Sequence, residues 1–157
     1  MAMKTKSPLA MAKQVLDIEL AGLKAIRAQL DGQFTCAVKA LAEALSRRNK
    51  LVVVGIGKSG NIGQKLAATF NSTGATSVLL DPANALHGDI GLLDDGDVVL
   101  ALSYSGESEE LINLIAAIKR FPVQIITFTG APKSALARLS DVVLNARVPK
   151  EACPFNL

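Results

Sequence analysis

The stretch Leu51-Val52-Val53-Val54-Gly55-Ile56-Gly57-Lys58-Ser59-Gly60-Asn61 decides the fold. Its first four residues are apolar and mostly β-branched, which is the composition of a short buried strand. A glycine-rich turn follows and opens a helical pattern carrying Ile62, Leu66, Ala67 and Phe70. Glycines let the backbone turn sharply and approach a ligand, and the unpaired N–H groups of the new helix attract anions. The first expectation is therefore a phosphate or another anion at this turn.

Working outward, strand and helix signals alternate. Strands are expected at Thr76–Leu80, Asp97–Leu102, Val123–Phe128 and Asp141–Asn145, with a helix over Glu109–Arg120 and short helical pieces at 83–87 and near 134–139. Five apolar strands separated by helices imply a parallel sheet covered on both faces, a three-layer αβα sandwich. Ahead of the first strand lie two helical patterns. Residues 8–31 carry Leu9, Leu16, Leu20, Leu23 and Leu30 with Val15 and Ile26 on one side, and residues 33–48 carry Phe34, Val38, Leu41 and Leu45, with Asp31-Gly32 between them. Two helices exceed what one sheet face needs, so the first is a candidate subunit contact.

With 157 residues, half of them hydrophobic and a fifth charged, the chain reads as one globular domain over 1–157. No apolar run reaches the length of a membrane span, and no apolar signal core follows Met1–Ser7, so neither a membrane anchor nor a secretory signal is expected. Cys36 and Cys153 lie far apart with no paired spacing, which fits a reduced cytoplasmic setting. A net charge of +3 is mild and argues against a nucleic-acid partner. Its one cluster, Arg47-Arg48-Asn49-Lys50, fits the solvated end of a helix. The tail from Arg147, with Pro149 and Pro154, is irregular and ends without a closing helix, as though the chain were cut there.

Two turns carry the chemistry. In a sheet of order 2-1-3-4-5 the strand order reverses between the first and third strands, and ligands bind past the carboxyl ends at that reversal. Those strands run into Gly55–Gly60 and into Ser103-Tyr104-Ser105-Gly106-Glu107-Ser108. Hydroxyls of Ser59, Ser103, Ser105 and Ser108, with close backbone approach at Gly57 and Gly106, suit a phosphate without any metal or cofactor. Each charge-assisted bond contributes about 1.5–3 kcal/mol. Serines of this kind also cap helices, but two such turns at one crevice favour the anion. Gly55–Gly60 also fits G-x-G-x-x-G, with Asp81 about twenty residues on, the fingerprint of a dinucleotide site. That leaves an NAD(P)-dependent oxidoreductase as a competing reading. A serine-rich third-strand turn and the bulk of Lys58 speak against it, and Val52 stands where a Walker loop needs glycine.

The segments GIGKSGNIGQKLAATFNSTG, HGDIG, SYSGESEE and KEACP, in this order, resemble the sugar-isomerase (SIS) domain of the arabinose-5-phosphate isomerases over nearly the whole chain. The resemblance implies a flavodoxin-like αβα domain in a homodimer or homotetramer. It implies interconversion of D-ribulose 5-phosphate and D-arabinose 5-phosphate, a phosphorylated pentose substrate, for Kdo and lipopolysaccharide or capsule synthesis. Family catalytic positions fall on Lys58, Glu110 and Glu151, and His87 falls on a family motif; the phosphate serines fall on Ser59, Ser103, Ser105 and Ser108. The family continues past KEACP into a loop, a long helix with a further histidine, and often paired CBS domains. A non-catalytic phosphosugar-sensing SIS module is accordingly the alternative.

Moving a carbonyl between C1 and C2 requires a carbon-bound proton to be removed and returned one atom over. A carboxylate base contributes about 10²–10⁴-fold, and a nearby cation stabilises the enediolate oxyanion. One of Glu110 and Glu151 suits the base, Lys58 the cation, and His87 proton transfer in ring opening. Glu107, Glu109 and Glu110 also make an acidic first turn that complements a helix dipole.

Overall fold

The computed structural model describes residues 7–153. They form α1 (Pro8–Gln29), α2 (Gly32–Ser46), β1 (Leu51–Gly55), α3 (Lys58–Ser72), β2 (Ser77–Leu80), α4 (Pro82–Leu86), a 3-10 turn (Asp89–Leu92), β3 (Val98–Leu102), α5 (Glu109–Ile118), β4 (Gln124–Thr129), α6 (Ala135–Leu139) and β5 (Val142–Asn145). The five strands make one parallel sheet of order β2-β1-β3-β4-β5, as expected. The chain divides into two compact units, one of α1 with the segment from Arg147 onward, the other Leu30–Ala146.

Leu30–Ala146 holds the sheet. Side chains alternate across each strand, so β1 sends Val52 and Val54 to one face and Leu51 and Val53 to the other. Leu111, Leu114, Ile115 and Ile118 of α5 cover the first face together with Ala85 and Leu136. The second face lies under Ala37, Ala40 and Ala44 of α2 and Leu66, Ala67 and Phe70 of α3. Burial at every residue holds for β1 and β3 only. The edge strands β2 and β5 carry half-buried or exposed positions between buried ones, and among the described residues no strand pairs on their outer side. Buried Thr127 of β4 is satisfied by the Ser140 hydroxyl at 2.6 Å.

Helix boundaries are set by local capping. Asp31 starts α2 as well as separating it from α1, its Oδ1 accepting from Gln33 N at 2.8 Å. At the other end Arg48 takes φ +64°, while Arg48 N donates to Leu45 O and Asn49 N to Ala44 O, the paired bonds of a Schellman stop.

The amino ends of β1 and β3 are tied by a buried charge, which corrects the expectation that Lys50 merely solvates a helix end. Lys50 Nζ lies 2.7 Å from Asp97 Oδ2 and 2.6 Å from Asp94 Oδ2. Asp97 is buried and also accepts from Lys50 N and Asp94 N, each at 2.9 Å. Burial by itself would raise the Asp97 carboxyl, but the Lys50 ammonium and the two backbone donors outweigh it and hold it below the usual carboxylate range. Burial likewise works against the Lys50 ammonium, and the two aspartates reverse that and raise it.

In the other unit, Val148 Cγ1 would lie 3.3 Å from a Cβ at buried Gly22 of α1, and Gln29 Nε2 donates to Arg147 O at 2.8 Å. Leu9, Met11, Leu16, Leu20 and Leu23 of α1 are exposed. Among the described residues no helix is long and apolar enough to cross a membrane, and no group of three His, Cys, Asp or Glu is placed to hold a metal ion. Pro154 and most of the Met1–Ser7 stretch lie outside the described residues.

Candidate active site

Register brings the two turns together. Val54 pairs with Leu80 on one side and Ala101 on the other, and Gly55 pairs with Leu102, so β2, β1 and β3 end level. The β1–α3 and β3–α5 turns therefore emerge side by side at the reversal of strand order.

In the first turn, Gly57 is the N-cap of α3, with φ 56° and ψ −123°, a conformation that excludes a side chain, and it makes no side-chain capping bond. A Cβ at Gly60 would sit 2.9 Å from Gly55 O, so Gly55 and Gly60 press the strand end against the helix. Two glycines of the dinucleotide-like pattern thus have a packing role. Ser59 is half-buried there, and Lys58 is exposed in the first turn of α3. Lys58 enters none of the ion pairs formed among the described residues.

In the second turn, buried Ser103 accepts from Gly106 N at 3.1 Å and Ser105 accepts from Glu107 N at 3.3 Å. Each hydroxyl that accepts in this way still has a proton to donate. Ser108 is the N-cap of α5 but makes no side-chain capping bond. Ser103 and Ser105 bond backbone amides within the turn itself rather than at a helix start. Gly106 takes φ +64°, and a Cβ there would overlap Ser134 Oγ.

Two clefts are lined by residues of these turns and their neighbours. One, of about 420 Å³, is lined by Gly55, Ile56, Gly57, Gly60, Asn61, Gln64, Leu79, Asp81, Pro82, Ala83 and Glu110. Glu110, exposed in the first turn of α5, thereby faces the glycine turn of β1. The other, of about 310 Å³ and mainly apolar, brings Ser59 together with Ser103, Tyr104, Phe128 and Thr129. The clefts contain Gly57, Ser59, Ser103 and Glu110, while Lys58, Ser105, Gly106 and Ser108 sit on the flanking turns. Asn61 and Gln64 were not anticipated. Their signal was available, since both project from the first two turns of the helix that the glycine turn opens.

His87 is exposed at the C-cap of α4, its N–H donating to Asn84 O at 2.9 Å, rather than at a strand end. Asp81 Oδ1 caps α4 by accepting from Ala83 N and Asn84 N while the residue also lines the Glu110 cleft. Glu151 belongs to the unit of α1, where it lines a groove of about 380 Å³ with Ile18, Glu19, Gly22, Leu23, Ile26, Val148, Lys150 and Ala152.

The family model described as the SIS domain matches residues 44–156. The chain belongs to the SIS domain family. This SIS domain is 47% identical over 145 residues to arabinose 5-phosphate isomerase KdsD of Salmonella typhi, covering 92% of this chain and 43% of that protein. To the protein of the same name from Pseudomonas aeruginosa it is 43% identical over 146 residues, covering 93% of this chain and 44% of the relative. The chain thus spans less than half the length of these relatives. Among solved structures, a protein of E. coli CFT073 in complex with arabinose 5-phosphate superposes with a TM-score of 0.81 at 32% identity, covering 97% of this chain and 81% of that one.

Proposed function

We propose that this SIS domain is the isomerase domain of an aldose–ketose isomerase that interconverts D-ribulose 5-phosphate and D-arabinose 5-phosphate. The observation that carries the reading is the cleft in which Glu110, in the first turn of α5, lies across from Gly57 and Gly60 at the start of α3. Relatives named for this reaction and a related structure holding arabinose 5-phosphate support it.

The phosphate binds between the turns, met by the hydroxyls of Ser59, Ser103, Ser105 and Ser108 and by N–H groups at the start of α3. Gly57 and Gly106 keep the backbone close to it. Glu110 takes the carbon-bound proton as a carboxylate, leaving an enediolate, and returns it to the neighbouring carbon while a hydroxyl proton crosses between O1 and O2. Lys58 stabilises the oxyanion. Glu151 is the second candidate base, and His87 assists ring opening. No metal or cofactor enters the proposed chemistry. Chains associate as a homodimer or homotetramer through the exposed leucines of α1, and the enzyme works in the cytoplasm at an early step of Kdo synthesis.

The test is a coupled assay of ribulose 5-phosphate conversion by this chain and by a chain extended to the length of its relatives. Formation of arabinose 5-phosphate by either supports the proposal. A ligand-induced rise in melting temperature with no turnover by either chain would instead make the domain a phosphosugar sensor.

A further inference from the structure

The β3–α5 turn is braced from one side. Gly130 N and Thr129 Oγ1 both donate to Tyr104 O, at 2.9 and 3.1 Å, and Leu136 N donates to Gly106 O at 3.1 Å. These acceptors are backbone carbonyls that any sequence supplies. Glu107 is different: its carboxylate Oε1 reaches across to accept from Ala135 N, the first amide of α6, at 3.0 Å. Ser134 caps the same helix at Ala137 N, so Glu107 Oε1, Gly106 O and Ser134 Oγ take the first three amides of α6 in turn. Gly106, immediately before Glu107, is seated against Ser134 so closely that no side chain fits. Ser105 in turn accepts from Glu107 N. The backbone of Glu107 and the Ser105 hydroxyl are thus held to each other, so a backbone shift at Glu107 reaches Ser105.

We propose that Glu107 is a positioning residue: by bonding Ala135 N it holds the Ser103–Ser108 turn in the shape that receives the phosphate, without touching the substrate. The inference rests on the phosphosugar reading above and adds a residue to it. A carboxylate committed to a backbone amide is poorly placed to act as a base, which separates Glu107 from Glu110, three residues on in α5.

The experiment compares Glu107→Ala with Glu107→Gln in the whole chain, using calorimetric titration with arabinose 5-phosphate, steady-state kinetics and amide hydrogen exchange. Loss of a bond to a charged acceptor weakens ligand affinity by about tenfold in Glu107→Ala. With the base untouched, kcat stays within about twofold. Glu107→Gln keeps an oxygen for Ala135 N and restores affinity to within about threefold of the parent. Exchange at amides 104–108 accelerates in the alanine variant and returns in the glutamine variant, while the amides of β1 and β3 stay protected. Unchanged affinity and exchange in Glu107→Ala overturn the proposal, as does a glutamine variant as weak as alanine, which would place the charge itself on the ligand. If the parent chain binds no pentose phosphate, the phosphosugar reading fails, and the exchange comparison still decides whether Glu107 holds the turn.

Discussion

The two ends of the sheet solve opposite problems with the same strands. At the amino ends, Lys50, Asp94 and Asp97 close on one another, and Asp97 answers two backbone amides as well. At the carboxyl ends, the N-cap of α3 is a glycine and that of α5 a serine, neither making a side-chain capping bond, and Glu110 faces a cleft. Buried polar groups that find each other stabilise a fold. Polar groups turned toward solvent at a helix start are available to a ligand. The difference supports the proposal that the ligand is met at the carboxyl ends.

The largest effect is expected at the carboxyl ends of the strands. On the proposed mechanism, Glu110→Gln keeps the shape of the cleft and removes the base, so turnover of ribulose 5-phosphate falls by about 10²–10⁴-fold. Affinity for arabinose 5-phosphate, read by calorimetry, stays near that of the parent, because the phosphate is held by the other residues. Unchanged turnover removes Glu110 from the mechanism.

At the opposite end the effect falls on stability. Asp97→Asn leaves the Lys50 ammonium, which is only 16% exposed, without its buried partner and costs about 3 kcal/mol in chemical denaturation. Because the native Asp97 carboxyl lies below its unfolded value, the unfolded state binds more protons as the pH falls. The stabilisation is complete above the unfolded value of about 4 and is lost as the pH drops through the native one. The parent therefore shows an acid-side decline in stability that Asp97→Asn flattens.

A smaller cost is expected at the brace. Gly106→Ala forces a side chain to φ +64° and against Ser134, and destabilises by about 2 kcal/mol. The same variant weakens phosphosugar binding more than its stability loss explains, which thermal melts with and without ligand separate. Least affected is Arg47→Ala. The Arg47–Glu43 pair is exposed on both sides, and its removal changes stability by under about 0.5 kcal/mol.

The parallel sheet and the two turns were legible in the sequence because continuous apolar runs alternate with helical patterns, and Gly55–Gly60 and Ser103–Ser108 each follow such a run; the strand order was assumed, and only the sheet pairing fixes it. Helix α4 and the 3-10 turn at Asp89–Leu92 were legible only in part, since each is too short to develop a period. The partners of Lys50 could not be read, because the carboxylates of Asp94 and Asp97 lie far along the chain and reach it only once β1 and β3 pair. The role of Glu107 was hidden for the same reason: its acceptor–donor pairing with Ala135 depends on two turns brought level by the sheet.

In the proposed site, one phosphate is held by the β1–α3 and β3–α5 turns together. The direct test is a titration of the whole chain with arabinose 5-phosphate, followed through the backbone amide resonances. Amides 57–61 and 103–108 are expected to shift together along one binding curve. Shifts confined to one turn, or to neither, would rule the shared site out.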